Sequence, residues 1–208
     1  MSPVKTVIPY KPDNPKSRLS PVFSEDERKQ FVELSLENVL TALSATGMRR
    51  IDILCKSPLE PENEKRLRSL FRGETPEPVI FVDERDLNTA INDYLKKSES
   101  PVLIVMADLA LITAAEISAM TAPPNRELPE NDRFVRIAPG KDGGTNMMYI
   151  GAPTIFEVNY YGESFKKHKE EAKRKNLVCE TYDSVLAAAD MDEPEDLKDI
   201  LVRGKGRI

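Results

Sequence analysis

Residues 101–108, Pro-Val-Leu-Ile-Val-Met-Ala-Asp, hold six apolar positions in a row before a carboxylate ends them. A strand that hydrophobic has no face to give to water, so it belongs inside a sheet covered on both sides. The cover must be helical, and the flanking segments supply it. Val79 to Asp83, VIFVD, reads as a strand and LNTAINDYLKK after it as a helix. Thr113-Ala114-Ala115-Glu116 has the spacing of a capping box and opens a short helix that ends before Pro123. Strand alternating with helix predicts a largely parallel sheet.

The pattern extends in both directions. Val4 to Ile8 reads as a first strand, and Ser24-Glu25-Asp26-Glu27 is a second capping box. Phe31, Leu34, Val39, Leu40 and Leu43 are expected on one buried helical face, with Gly47 as the stop. RRIDILCK reads as a strand and ENEKRLRSLF as a short helix. Further on, FVRIAP and NMMYIG flank Lys141-Asp142-Gly143-Gly144, ESFKKHKEEAKRK is helical, LVCETY is a last strand, and DEPEDLKDIL is a last helix with Pro194 near its first turn. Pro123 to Arg133, with three prolines, reads as a surface loop and one possible dimer contact. The expected architecture is α/β: a three-layer αβα sandwich, Rossmann-like, with a mostly parallel sheet. A chain of 208 residues suits one domain over 1–208.

Lys+Arg total 30 against Asp+Glu 35, a net charge of −5, which excludes the broad basic face of a generic nucleic-acid binder. An anion site must therefore be local. No apolar run approaches the roughly 20 residues of a membrane span, and the first residues do not read as a signal peptide, so a cytoplasmic protein is expected. Cys55 and Cys179 lie in strand-like runs and read as buried free thiols.

Open α/β sheets bind ligands beyond the carboxyl ends of their strands, here the loops after Ile8, Asp83, Ala107 and Pro139. The first is IPYKPDNPKSRLSP, with Lys11, Lys16 and Arg18 among four prolines and no glycine. Cations held in a stiff loop suit several phosphate charges at once, although a solvated basic loop would look the same. It is neither a Walker loop nor a dinucleotide fingerprint, since both need glycines. Asp108 is placed either to hold a divalent cation against a nucleotide phosphate or to cap the following turn. Asp190 and Asp192 fall on one side of an extended stretch; Asp192 reads as a helix cap, leaving Asp190 as the freer ligand. KDGGTN reads as a hairpin turn whose glycines also let a ligand approach, with Thr145 and Asn146 as polar groups. Asn88 and Asn92, one helical turn apart, could offer amides to a base or ribose, or be solvated. His168, the single histidine, has lysines beside it and reads as a surface helix position.

In order along nearly the whole chain, IPYKPDNPKSRLSP, LNTAIN, VMADLALIT, APGKDGGTN, YGESFKKH and DMDEPEDL resemble the 2-phospho-L-lactate guanylyltransferases, the CofC family of coenzyme F420 biosynthesis. The resemblance implies a nucleotidyltransferase fold of the glycosyltransferase-A kind and transfer of GMP from GTP to 2-phospho-L-lactate, with Mg2+ as cofactor. It assigns Lys11, Lys16 and Arg18 to the triphosphate, Asn88 and Asn92 to the nucleoside, and Asp108 and Asp190 to the metal, with Lys16, Arg18 and Asp108 closest to the chemistry. Thr145, Gly162 and Ser164 match residues that hold the phosphorylated acid, and His168 matches a family histidine that would lie near phosphate. Ala110 stands where the family usually has proline, and GESF is one residue shorter than the usual Gly-Pro-Asp-Ser-Phe. Related expectations are a nucleotidyltransferase for phosphoenolpyruvate, 3-phosphoglycerate or a sugar phosphate, or a non-catalytic nucleotide-binding subunit. A homodimer is expected.

Overall fold

The computed structural model of the protein describes residues 3–13, 15–48, 50–69, 78–124, 133–190, 192–194 and 196. Seven strands, β1 (Lys5–Tyr10), β2 (Ile51–Cys55), β3 (Val79–Val82), β4 (Val102–Val105), β5 (Phe134–Pro139), β6 (Thr145–Ile150) and β7 (Val178–Thr181), form one sheet in the order β3-β2-β1-β4-β6-β5-β7. Its β3-β2-β1-β4 half is parallel, β6 runs antiparallel to both β4 and β5, and β5 and β7 are parallel. The reversal is the β5–β6 hairpin closed over Lys141 to Gly144, where Gly140 N–H donates to the Gly144 carbonyl at 3.0 Å and Gly143 takes φ +76°.

Side-chain alternation sorts the strands onto two cores. Ile8, Ile53, Leu103 and Val105 pack with Leu36, Leu40 and Leu43 of α1 (Glu25–Ala45), Leu67 of α2 (Pro61–Ser69), and Ile117 and Met120 of α4 (Ala114–Thr121). Val7, Leu54, Val102 and Ile104 pack on the opposite face with Ile91 and Leu95 of α3 (Leu87–Lys96), Ala172 of α5 (Ser164–Arg174) and Phe156. That is the three-layer sandwich, and β4 is buried along its whole length, as its apolar run requires.

The Ser24 capping box forms reciprocally: the Ser24 hydroxyl accepts from Glu27 N–H at 3.3 Å, and the Glu27 carboxylate accepts from Ser24 N–H at 2.8 Å. The helix stops at Ala45, two residues before Gly47 at φ +73°. Leu34 departs from expectation: it is exposed, because α1 buries the line Val32, Leu36, Val39, Leu40 and Leu43. Thr113 departs too, its hydroxyl bonding the Glu116 carboxylate rather than a helix amide. Arg136 on β5, itself buried, closes the end of α4 by donating to the carbonyls of Ala119, Met120 and Ala122 and to Glu180. Cys55 in β2 and Cys179 in β7 are free thiols. Apart from Asp192, Glu193, Pro194 and Asp196, the expected last helix over DEPEDLKDIL lies outside the described residues, as does most of the Pro123 to Arg133 loop.

Candidate active site

A cleft of about 560 Å³ opens at the carboxyl ends of β1 and β4, lined among others by Tyr10, Lys11, Lys16, Arg18, Asp108 and Asp192. The basic loop reaches it in a fixed shape. Lys16 has φ +49°, a left-handed conformation that costs an L side chain about 1 kcal/mol, so its neighbours must hold it there. On one side Leu19, fully buried in the short 3-10 turn Ser17–Leu19, packs against Leu111 with Phe23 and Phe31. On the other, Arg28 of α1, buried, donates to the carbonyls of Pro15 at 3.1 Å and Phe23 at 3.2 Å.

The Lys16 ammonium donates to Asp108 Oδ2, and to Asp192 Oδ1 at 2.6 Å. Burial alone would lower its pKa, but Asp108 and then Asp192 outweigh it and hold the ammonium above its usual range. Asp190 lies within electrostatic reach of this group. Burial, then Asp108 and Asp192, push its carboxyl up to about 6, with Lys16 opposing. The segment carrying these acids is tied to the β5–β6 turn: the Asp192 and Glu193 amides donate to Asp196, which accepts from Lys141 at 2.7 Å. Asn146 Nδ2 holds the Ala187 carbonyl at 3.0 Å. A Cβ at Gly140 would lie 2.8 Å from Asn146 Oδ1 and 3.1 Å from Asp190 Oδ2, so a side chain here would have to displace Asn146 and crowd Asp190.

Asp108 lines the cleft with Lys16, and Asp190, which does not line it, is coupled to both by charge. The structure adds Asp192, which the sequence offered as a helix cap: its carboxylate meets Lys16, and its backbone amide donates to Asp196. Among the described residues no three His, Cys, Asp or Glu side chains are spaced to coordinate a metal as they stand, and the Lys16 ammonium bridges Asp108 and Asp192. The donors are all carboxylate oxygens beside an open cleft. Such a set suits magnesium, which takes one or two carboxylates and completes its shell with water and phosphate.

The remaining assignments divide. Arg18 lies at the rim, 67% exposed, with Glu193 at 3.2 Å. Lys11 lines both this cleft and a second one of about 360 Å³. That second cleft shares Pro9, Tyr10, Met106 and Tyr161 with the first and extends to Asp83 and Asp86 beyond β3. Asn88 and Asn92 are turned to another use. Asn92 donates to the Val158 carbonyl at 3.2 Å and accepts from Val158 N–H at 2.8 Å, while Asn88 accepts from Tyr160 N–H at 2.7 Å. They tether residues 158–160 to α3, and neither lines the two clefts. Thr145 and Ser164 touch each other, Ser164 Oγ lying 3.3 Å from Thr145 Oγ1 where α5 begins, but both are buried and neither lines the two clefts. Gly162, at φ +58°, follows Tyr161 of the cleft wall. His168 is not on the surface: it is fully buried, with both ring nitrogens engaged.

The family model described as "Guanylyl transferase CofC like" matches residues 4–208. The chain belongs to this family. The 2-phospho-L-lactate guanylyltransferase of Methanosarcina mazei is 43% identical over 203 residues, covering 98% of this chain and 88% of the relative. That of Methanosarcina acetivorans is 44% identical with the same coverage. Among solved structures, a Desulfovibrio desulfuricans protein assigned as a nucleotide-diphospho-sugar transferase superposes with a TM-score of 0.69 at 18% identity, over 99% of this chain and 88% of that one. A nucleotidyl transferase from Methanothermobacter gives 0.63 at 9%, over the full length of both. At such identities the structures show the fold. The CofC match is what narrows the family.

Proposed function

We propose that this CofC chain transfers GMP from GTP to 2-phospho-L-lactate, giving lactyl-2-diphospho-5′-guanosine and pyrophosphate. The observation that carries the reading is the cleft at the ends of β1 and β4, where Lys16 and the carboxylates of Asp108 and Asp192 converge beside Lys11 and Arg18, with Asp190 within electrostatic reach of all three. An oxygen of the acceptor's phosphate attacks the α-phosphorus of GTP, and a P–O–P linkage forms. The bond from that phosphorus to the β-bridging oxygen breaks, and pyrophosphate leaves with the electron pair. The acceptor is already an anion at neutral pH, so no protein nucleophile is needed, and the enzyme's work is to bring two polyanions together.

Lys11 and Arg18 are the cations available to the triphosphate at the cleft surface. Lys16, rigidly held, orients Asp108 and Asp192 and offsets their charge. Magnesium held by Asp108 and Asp190, with Asp192 beside them, supplies charge neutralisation and alignment of phosphate oxygens when bound. The second cleft offers the nucleoside its room, in place of Asn88 and Asn92. Of the residues the resemblance gives to the acceptor, Gly162 follows Tyr161 of the cleft wall, while Thr145 and Ser164 are buried beside His168. The free thiols of Cys55 and Cys179 suit a reducing cytoplasm.

Asp108→Asn tests the reading: it keeps size and hydrogen bonding while removing a charge, so circular dichroism should be unchanged and pyrophosphate release should fall at least about 100-fold. Wild-type turnover in this variant would remove Asp108 from the chemistry.

A further inference from the structure

The second cleft is lined for a flat heteroaromatic group. It lies over the carboxyl ends of β1, β2 and β3, and its volume of about 360 Å³ falls in the usual range of small-molecule sites. Leu54, Leu87, Ala90 and Met106 give it apolar walls. Tyr161, 57% exposed, stands where it joins the cleft of Lys16 and Asp108, so one ligand can reach from one into the other. An exposed tyrosine ring beside apolar walls suits the two faces of a nucleobase, and polar groups at the edge decide which base.

Two carboxylates line this cleft, Asp83 and Asp86. An ionised carboxylate accepts at about four lone-pair sites, two on each oxygen. At Asp83, Arg85 takes most of them: Oδ1 accepts from Arg85 N–H at 3.1 Å and from Nε at 2.9 Å, and Oδ2 accepts from Nη2 at 2.6 Å. Asp86, the cap of α3, is less committed. Its Oδ1 accepts from Thr89 N–H at 3.1 Å and its Oδ2 from the Thr89 hydroxyl, so each oxygen can take a further donor. The Thr89 hydroxyl and then the Thr89 amide hold its carboxyl below the usual range, which leaves it an acceptor only. Asn88, in the same first turn of α3, accepts from Tyr160 N–H at 2.7 Å. That bond ties the residue next to Tyr161 to the helix that Asp86 caps, and Tyr161 and Asp86 line the one cleft.

We propose that Asp86 selects the base: its two oxygens accept from the N1–H and the exocyclic amino group of guanine, one each, while Tyr161 covers a face of the ring. This rests on the reading of the second cleft as the room of the nucleoside. Among the common bases guanine alone presents two neighbouring donors on one edge. Adenine turns the N1 lone pair toward the same carboxylate, and xanthine replaces the amino group with an oxygen. Either change sets an acceptor against an acceptor, and a site built to take a donor rejects it.

Asp86→Asn separates base reading from helix capping, because asparagine caps a helix about as well as aspartate. Its oxygen can keep the Thr89 amide, and its amide nitrogen, with one proton on the Thr89 hydroxyl, has the other for the 2-oxygen of xanthine. Displacement of a ribose-labelled fluorescent GTP by unlabelled nucleotides, with magnesium and no acceptor, gives the affinities. Wild type should bind GTP at least about fivefold tighter than ITP, which lacks the amino group, and at least about 30-fold tighter than ATP or XTP. In Asp86→Asn, GTP should weaken at least about tenfold and XTP should become the tighter ligand. Asp83→Asn should keep the wild-type order. A mere helix cap would leave the order of GTP, ITP and XTP unchanged in Asp86→Asn, and that result overturns the proposal, as does a reversal in Asp83→Asn instead. Wild type that holds ATP or XTP as tightly as GTP overturns it without any variant. A chain that guanylylated none of the acids would sink the proposed function, while the displacement series would still decide the base.

Discussion

Replacing Lys16 with methionine removes the charge at the centre of the site and keeps most of the apolar stem. The Lys16 side chain is 9% exposed, Asp108 28% and Asp192 42%. Unit charges about 4 Å apart at an effective dielectric near 20 attract by about 4 kcal/mol before desolvation is counted. The better exposed Asp192 contributes no more than about 1 kcal/mol of this after solvent screening. Removing one partner leaves the less exposed Asp108 uncompensated, and the variant should lose about 3 kcal/mol of stability. The left-handed backbone at Lys16 adds nothing to the difference, since methionine bears the same Cβ. For a chain of this size that loss lowers Tm by roughly 6 to 12 °C. The assay is thermal unfolding at pH 7.5, with and without magnesium. Because the ammonium and a divalent ion would compete for the same carboxylates, magnesium should raise the variant's Tm more than the wild type's. A variant that melts with wild type, or gains no more from magnesium than wild type does, would refute the view of Lys16 as the counter-ion of this cluster.

Other outcomes follow from the same contacts. The folded-state pKa of His168, about 4, lies below the roughly 6.5 of an unfolded histidine, so the unfolded chain binds more protons in between. Stability from the neutral ring is complete above about pH 6.5 and falls by about 3 kcal/mol as pH drops to about 4; urea unfolding should show this slope in wild type and lose it in His168→Asn. Arg136→Met takes the buried donor away from the carbonyls at the end of α4, and urea unfolding should register a loss of about 3 kcal/mol. Gly140→Ala drives a methyl group against Asn146 and Asp190, so steady-state turnover should fall about tenfold or more while circular dichroism stays native; full activity would show that Asp190 need not hold its position.

What could be read from the residues was whatever short-range rules decide. The Ser24 box, the Gly47 stop and the buried β4 depend on neighbours a few residues away, and all three formed. The loop positions of Lys16 and Asp108 were also readable, because the ends of β1 and β4 must lie side by side once the strands pair. The partners of Asn88, Asn92 and His168 were not. Asn88 and Asn92 bond a segment 66 to 72 residues away that has neither strand nor helix periodicity, so nothing marked it as their counterpart. His168 looked exposed because Lys167 and Lys169 flank it, yet on a helix adjacent residues face different ways and its side chain turns inward with Ser164 and Ala172. Leu34 shows the reverse error: an apolar residue near the buried line of α1 that packing left in water.

The most direct measurement is mass spectrometry of products after the purified protein is incubated with GTP, magnesium and, separately, 2-phospho-L-lactate, phosphoenolpyruvate and 3-phosphoglycerate. The account predicts lactyl-2-diphospho-5′-guanosine with one pyrophosphate released per product. GTP binding with no guanylylated acid from any of the three would contradict it.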